Sequence, residues 1–327
     1  MRFALAQALL AARQLPQAEA ELKRILEISR HFTPANMAMA GLLILDRKPD
    51  AAAEHLKAVL RVEPGNVEAN RLLGGYYQRR GSREAAIEHL RVVAKALPGR
   101  YDVKLQLANL YGQVGRFEEG LELTREIVAA QPKFAPAHVL MGELLLGRGQ
   151  IPQAIESLRT AIRLDPTLAL PHFQLAGAYE RKGDLDAALS AYRRALALAP
   201  KDPRPYNNVA WILASQGKNL DEALSQARKA EELIRADQAF AASLPGVLDT
   251  LGFVYYKRGE YAQAEPLLRQ ATELSTRDVV IQYHLGLTYH RLGRKGEAET
   301  WLRRSLQAGG TFAGADEARQ LLKELGS

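Results

Sequence analysis

The chain of 327 residues contains no cysteine. Disulfide bridges and metal sites built on thiolates are therefore excluded, whichever redox compartment the protein occupies. The sequence also lacks any run of about 18 apolar residues, so we expect no transmembrane helix. Residues 1–8 resemble a short signal peptide, but Arg13, Glu19 and Glu21 interrupt the apolar region. We expect the chain to begin inside a repeat, as a fragment of a longer protein whose targeting signal lies upstream.

Sequence signatures of catalysis are also missing. No P-loop, no glycine-rich dinucleotide motif after a strand, no zincin histidine pair and no Gly-x-Ser-x-Gly elbow occurs. His284 and His290 are six positions apart and do not share a helical face. Two other histidine pairs are 34 residues apart, so each pair occupies one repeat position in adjacent units and not a shared site; they are His55 with His89, and His138 with His172. We predict that the chain is not an enzyme and binds no metal and no cofactor.

The charge balance gives little reason to expect nucleic acid as a partner. The net charge of +7 is modest for this length, and 47% hydrophobic with 25% charged residues is ordinary for a soluble protein. Basic doublets such as Arg193-Arg194 recur without interleaved aromatic residues. Proteins that bind single strands combine such charge with stacking aromatics, so we expect no nucleic-acid binding.

A fixed period is the most informative feature that is present. Prolines and glycines each recur at intervals of 34 residues along the chain. A constant interval of this length indicates a stack of identical supersecondary units, each of which packs only on its neighbours. The prolines are Pro64, Pro98, Pro132, Pro166 and Pro200, and the glycines are Gly81, Gly115, Gly149, Gly183 and Gly217.

Each unit is predicted to be a pair of helices, which makes the chain all-α. The eighth position of a unit holds only Ala or Gly, as Gly142 does, and such small residues are expected where two helices cross closely. The fifteenth-position glycines would end the first helix, and Pro16 and Pro152 would begin the second. We predict nine units and a C-terminal capping helix over 313–327. The units are 1–32 (truncated), 33–66, 67–100, 101–134, 135–168, 169–202, 203–244, 245–278 and 279–312.

These residues resemble the tetratricopeptide repeat family. The stretch 171–179, followed by Gly183, Ala188, Tyr192 and Pro200, is similar to a near-complete repeat. The fourth position, often Trp in the family, is Asn, Lys, His or Tyr in most units here. The resemblance implies a single right-handed α-solenoid, or superhelix, over 1–327. It also implies that the first helices line a concave groove that accepts a peptide or a protein partner segment.

The resemblance further assigns groove-lining positions to the first helices of the last three units. Amphipathic aromatic residues beside Asn, Asp and Arg are typical of binding hot spots, so we predict the binding site there. The alternative is that the aromatic residues pack between helices. The predicted groove residues are Asn207, Trp211, Asp249, Phe253, Tyr256, Lys257, Tyr283, His290 and Arg291.

The seventh unit, 203–244, breaks the period with 42 residues. One extra residue falls at Lys218-Asn219 and seven fall between Leu233 and Leu244. Two interpretations are open. Loops tolerate added length at little cost, so the insertion can be a neutral surface feature. Insertions in repeat arrays also often fall on a functional face, so this one can mark the binding region.

A narrower resemblance concerns the segments 207–214, 248–253 and 312–325. They are similar to bacterial envelope repeat proteins, including lipoproteins that accompany exosortase and exopolysaccharide systems. This resemblance implies an interaction scaffold at the periplasmic side of a membrane, which organises export or glycan assembly. Two alternatives are open: the substrate-selecting repeat portion of a larger enzyme such as a glycosyltransferase, or a cytoplasmic adaptor or co-chaperone.

Overall fold

The computed structural model describes residues 1–307 and 312–326, which form 19 α-helices, one 3-10 helix (Gln238–Ser243) and no strand. The prediction of an all-α fold is thus confirmed. Positions 308–311 of the predicted ninth unit and Ser327 of the predicted capping helix lie outside the described residues. The helices are α1 (Arg2–Ala11), α2 (Leu15–Ile28), α3 (Thr33–Leu45), α4 (Pro49–Val62), α5 (Val67–Arg79), α6 (Arg83–Ala96), α7 (Tyr101–Gln113), α8 (Phe117–Ala130), α9 (Ala135–Gly147), α10 (Ile151–Leu164), α11 (Ala169–Lys182), α12 (Leu185–Leu198), α13 (Pro203–Gln216), α14 (Leu220–Ala236), α15 (Leu244–Lys257), α16 (Tyr261–Leu274), α17 (Val279–Arg291), α18 (Lys295–Gln307) and α19 (Ala315–Leu325).

The chain divides into two compact parts, Met1–Leu164 and Asp165–Ser327. Within each part, every odd-numbered helix packs on the even-numbered helix that follows it, and that helix packs on the next odd one. The buried side chains accordingly form a series of small cores, each built by helices that are neighbours in sequence. Such nearest-neighbour packing is typical of repeat proteins. The single array over 1–327 stays a prediction.

Left-handed residues end the first helix of each unit. Gly81 has φ of 73° after α5, and the backbone N–H of Ser82 donates to the carbonyl of Tyr77 at 3.0 Å. A residue without Cβ adopts this conformation at no steric cost. In the first two units, Arg13 and Arg47 take the same place with φ of 58° and 57°. The predicted turns therefore form even where the glycine is missing.

Small residues at the eighth position allow the two helices of a unit to touch. A Cβ added to Gly142 of α9 would lie 2.6 Å from Cγ of Leu158 on α10, closer than two non-bonded carbon atoms approach in folded proteins. Gly252 stands in the same relation to Leu268, also at 2.6 Å. The backbone of the first helix is therefore in direct contact with a leucine of the second, as the sequence pattern predicts.

In several units, the side chain at the fourth position connects the first helix to the end of the preceding unit by a hydrogen bond. The Nδ2 atom of Asn70 donates to the carbonyl of Pro64 at 2.9 Å, and its Oδ1 lies 2.8 Å from Nδ1 of His89. The same bond to a carbonyl six residues earlier recurs with other side chains. These bonds are Asn36 to Arg30, His138 to Pro132, Tyr206 to Pro200 and Gln282 to Thr276.

Candidate functional site

The nine predicted groove residues lie on three first helices of the second part. Helix α15 packs beside α13 on one side and beside α17 on the other. This row presents side chains of the three helices to one another and to solvent. Asn207 and Trp211 lie on α13, Asp249, Phe253, Tyr256 and Lys257 on α15, and Tyr283, His290 and Arg291 on α17.

Aromatic rings from four helices meet in this row, and we call them the ring cluster: Trp211, Phe253, Tyr256, Tyr261 and His284. Phe253 lies at the centre, with its ring centroid 5.1 Å from that of Trp211 and 4.4 Å from that of His284. Tyr256 lies 6.1 Å from Phe253 and 5.5 Å from Tyr261. Aromatic pairs at such distances add stability beyond the area that they bury.

Three of the predicted groove residues are buried. Phe253 is 8% exposed, Asp249 7% and Tyr283 5%. The carboxylate of Asp249 is bonded to the imidazole of His284, with 2.7 Å between Oδ1 and Nδ1. The Tyr283 hydroxyl donates to Glu317 at 2.6 Å, and burial together with this carboxylate raises the pKa of the tyrosine. Asp249 and Phe253 thus connect α15 to α17, and Tyr283 connects α17 to α19. The three buried side chains hold these helices together beneath the side chains that reach solvent.

The other predicted residues reach solvent. Trp211, Tyr256 and His290 are half-buried, while Lys257 and Arg291 are exposed. Burial raises the pKa of Tyr256, and Arg291 beside its hydroxyl opposes this increase. The aromatic side chains of Trp211 and Tyr256, with charged groups beside them, are thus accessible to another molecule.

Asn207, which is also half-buried, has an unusual environment. Its Oδ1 atom is shielded from water and accepts no hydrogen bond from any residue within 1–307 or 312–326. A buried acceptor without a partner costs free energy, and it marks a place where a donor from a ligand or a water would be favourable. Asn207 precedes Trp211 by one helical turn, so this acceptor belongs to the same row.

The insertion in the seventh unit lies beside the start of α13. The extra residues lengthen α14 and form the 3-10 helix, and Phe240 of that helix packs with Tyr206, Ile234 and Val247. The guanidinium of Arg204, on the first turn of α13, lies 6.0 Å from the Phe240 ring. The insertion is therefore folded against the helix that carries Trp211.

Sequence reasoning missed two members of the ring cluster. His284 was not among the predicted groove residues, and Tyr261 belongs to the second helix of its unit and carries no groove position. For His284 a signal existed, because Asp249 lies 35 residues earlier, one repeat period plus one position. For Tyr261 the period gives no signal.

The described part of the chain holds no group of three His, Cys, Asp or Glu side chains that could bind a metal ion. Several histidines are engaged in the scaffold. His55 is bonded to Asn36 and His89 to Asn70, and burial lowers the pKa of both imidazoles. None of the helices that the structure describes is both long and apolar enough to cross a bilayer.

Comparison with known families identifies the helix pairs. Models described as tetratricopeptide repeat match residues 46–101, 169–202 and 244–309, and one described as TPR repeat matches 142–183. The chain carries tetratricopeptide repeats. The match over 244–309 includes α15 and α17 and thus most of the predicted groove residues. The envelope resemblance has no counterpart in these matches.

Several solved structures are similar to this chain, and the first of them has the same fold. A tetratricopeptide repeat protein from Parabacteroides merdae has 15% identity and a TM-score of 0.57, over 80% of this chain and 99% of its own. A thermophilic TPR protein of Thermus thermophilus has 26% identity and a TM-score of 0.47, over 55% of this chain and 98% of its own. The pilF protein of Pseudomonas aeruginosa has 23% identity and a TM-score of 0.48, over 59% of this chain and 88% of its own. The search of curated proteins gives no match.

Proposed function

We propose that this chain is a non-catalytic interaction scaffold that binds a peptide or a partner segment over the ring cluster. Tetratricopeptide repeat proteins generally mediate protein–protein interactions. The observation that carries the proposal is the solvent-accessible edge of the cluster, where Trp211 and Tyr256 flank the buried Phe253. Large, rigid aromatic side chains of this kind supply much of the binding energy at interfaces. The role in export or glycan assembly stays a prediction from resemblance.

The chain contains two tryptophans, and they provide a matched test. Trp211 belongs to the ring cluster, whereas Trp301 lies half-buried on the second helix α18, 5.1 Å from the Arg304 guanidinium. A phage-displayed library of random dodecapeptides is selected on the immobilised protein. We expect the enriched peptides to bind Trp301→Ala as they bind the unchanged protein, and Trp211→Ala at least about tenfold more weakly, the loss typical of a hot-spot aromatic.

A spectroscopic measurement complements the selection. In the variant Trp301→Phe, Trp211 is the sole tryptophan, so its emission reports on the ring cluster directly. An enriched peptide should quench or shift this emission with saturation. Equal binding to both alanine variants, with unchanged circular dichroism, would place the peptide elsewhere and refute the proposal.

A further inference from the structure

Two positive charges lie at the ring cluster without a carboxylate partner. The Nζ atom of Lys257 is 5.3 Å from the Phe253 ring centroid, and the Arg291 guanidinium is 4.8 Å from the Tyr261 ring. Neither side chain forms an ion pair with any residue of 1–307 or 312–326. The adjacent Arg258, by contrast, is paired with Glu260 at 2.6 Å.

Two carboxylates beside the ring cluster already take part in hydrogen bonds with other side chains. Asp249 is buried and bonded to His284, and Glu317 accepts the Tyr283 hydroxyl. His290, half-buried beside Arg291 on α17, adds no negative charge. A hydrogen bond from a neutral hydroxyl does not cancel the formal charge of Glu317, so the two cations Lys257 and Arg291 face one exposed carboxylate at the margin of the ring cluster, which has a surplus of positive charge. The centre of the cluster is aromatic.

A neutral ligand would cover Lys257 and Arg291 and remove water from them without compensation. A ligand with carboxylates would instead form charge-assisted hydrogen bonds, which are shorter and stronger than neutral ones. Arginine in particular matches a carboxylate through two parallel N–H groups. Complementary charge also selects among partners by repelling those of the same sign.

We propose that the ring cluster binds an acidic peptide segment, with Asp or Glu carboxylates at Lys257 and Arg291 and an apolar side chain on Trp211 and Tyr256. This inference rests on the proposed function, because it specifies the ligand of the same surface. It adds a requirement that groove binding alone does not make, namely that the bound segment is negatively charged.

The test uses the peptides selected from the random dodecapeptide library, scored for composition. The groove variant is Lys257→Gln/Arg291→Gln. The matched control is Arg277→Gln/Lys295→Gln, which removes two exposed charges of the same types outside the ring cluster. We expect Asp and Glu to be enriched about threefold over the input library on the unchanged protein and on the control, and not on the groove variant.

A second measurement uses synthetic peptides. The most enriched dodecapeptide and its Asn/Gln counterpart are labelled and titrated by fluorescence anisotropy. The amide counterpart should bind about tenfold more weakly, as expected for the loss of a charge-assisted bond. On the groove variant, the two peptides should bind with similar affinity.

The possible failures are distinguishable. Neutral or basic peptides that depend on Trp211 would overturn the acidic ligand and leave the proposed function standing. Acidic peptides retained by the groove variant would also overturn it, since the general positive charge of the protein would then explain them. A library that yields no enriched peptide on any version of the protein would refute both proposals.

Discussion

The Nδ1 atom of His284 lies 2.7 Å from Oδ1 of Asp249, and both side chains are buried where α17 meets α15. The imidazole also stacks on Phe253, with 4.4 Å between the ring centroids. One polar contact and one aromatic contact thus hold neighbouring first helices together, directly beneath the proposed binding surface.

Removing the acceptor of this contact should destabilise the second part of the chain. Asp249→Ala leaves a buried imidazole N–H without a partner, which costs about 1–3 kcal/mol. Asp249→Asn keeps an oxygen at this place and should cost less. Urea denaturation followed by circular dichroism measures both. Equal losses for the two variants would show that the hydrogen bond contributes nothing.

The same substitution of glycine by alanine should have opposite effects at two sites. Gly142→Ala places a methyl group 2.6 Å from Leu158, and such overpacking costs about 1–3 kcal/mol of unfolding free energy. Gly41 lies within α3 with no atom within 4 Å of its Cβ position. Gly41→Ala should stabilise by about 0.5–1 kcal/mol, because alanine loses less backbone entropy in a helix. Thermal unfolding of the pair checks the sign, and two changes of the same sign would contradict the packing argument.

Stability of the first part should fall as the pH falls from 7.5 to 5.5. Burial lowers the pKa of His55 and His89 below the ordinary 6.5, so the unfolded chain binds protons more readily in this range and unfolding is favoured. Carboxylates with lowered pKa, such as Glu68 beside Arg71, contribute only below about 4.5.

The double variant His55→Gln/His89→Gln cannot titrate at these positions, and its amides can still donate to Asn36 and Asn70. It should therefore show a flatter dependence of unfolding free energy on pH, measured by urea denaturation. His31→Gln, at an exposed turn, serves as the control and should keep the slope of the unchanged protein. If the stability of the double variant depended on pH as strongly as that of the control, these two histidines would not be the cause of the pH dependence.

The loss of unfolding free energy on removal of a fourth-position hydrogen bond should increase with the burial of that bond. Asn70 is 2% exposed, and Asn70→Ala deprives His89 and the Pro64 carbonyl of partners, for a loss of about 1–3 kcal/mol. Tyr206→Phe removes an exposed bond to Pro200 and should change stability by about 0.5 kcal/mol or less. Denaturation midpoints compare the two, and similar losses would argue against burial as the deciding factor.

The turns and helix pairs could be predicted because their signals are local. Gly81 ends a helix through its own backbone conformation. Pro152 favours the start of a helix because the first turn does not use its missing N–H group. The small residue at Gly142 was predictable for the same reason, since the period states which positions of the two helices cross.

The accessibility of the site could not be predicted in the same way. A repeat position tells how a side chain leaves its own helix, but the next helix determines how far it is covered. Phe253 is covered by the His284 ring, and Tyr283 by Phe312 at 5.5 Å and by Glu317. Lys257 and Arg291, at the ends of their helices, lie beside the rings of Phe253 and Tyr261 and still reach solvent.

In five units the acceptor of the fourth-position bond is a main-chain carbonyl, an atom that all units possess whatever their side chains. Asn, His, Tyr and Gln each satisfy it with their own donor. Two adjoining units therefore need no matched pair of side chains at this junction. A gene of this kind can gain or lose whole copies by duplication and deletion, and the new neighbours would fasten to one another without compensating mutations.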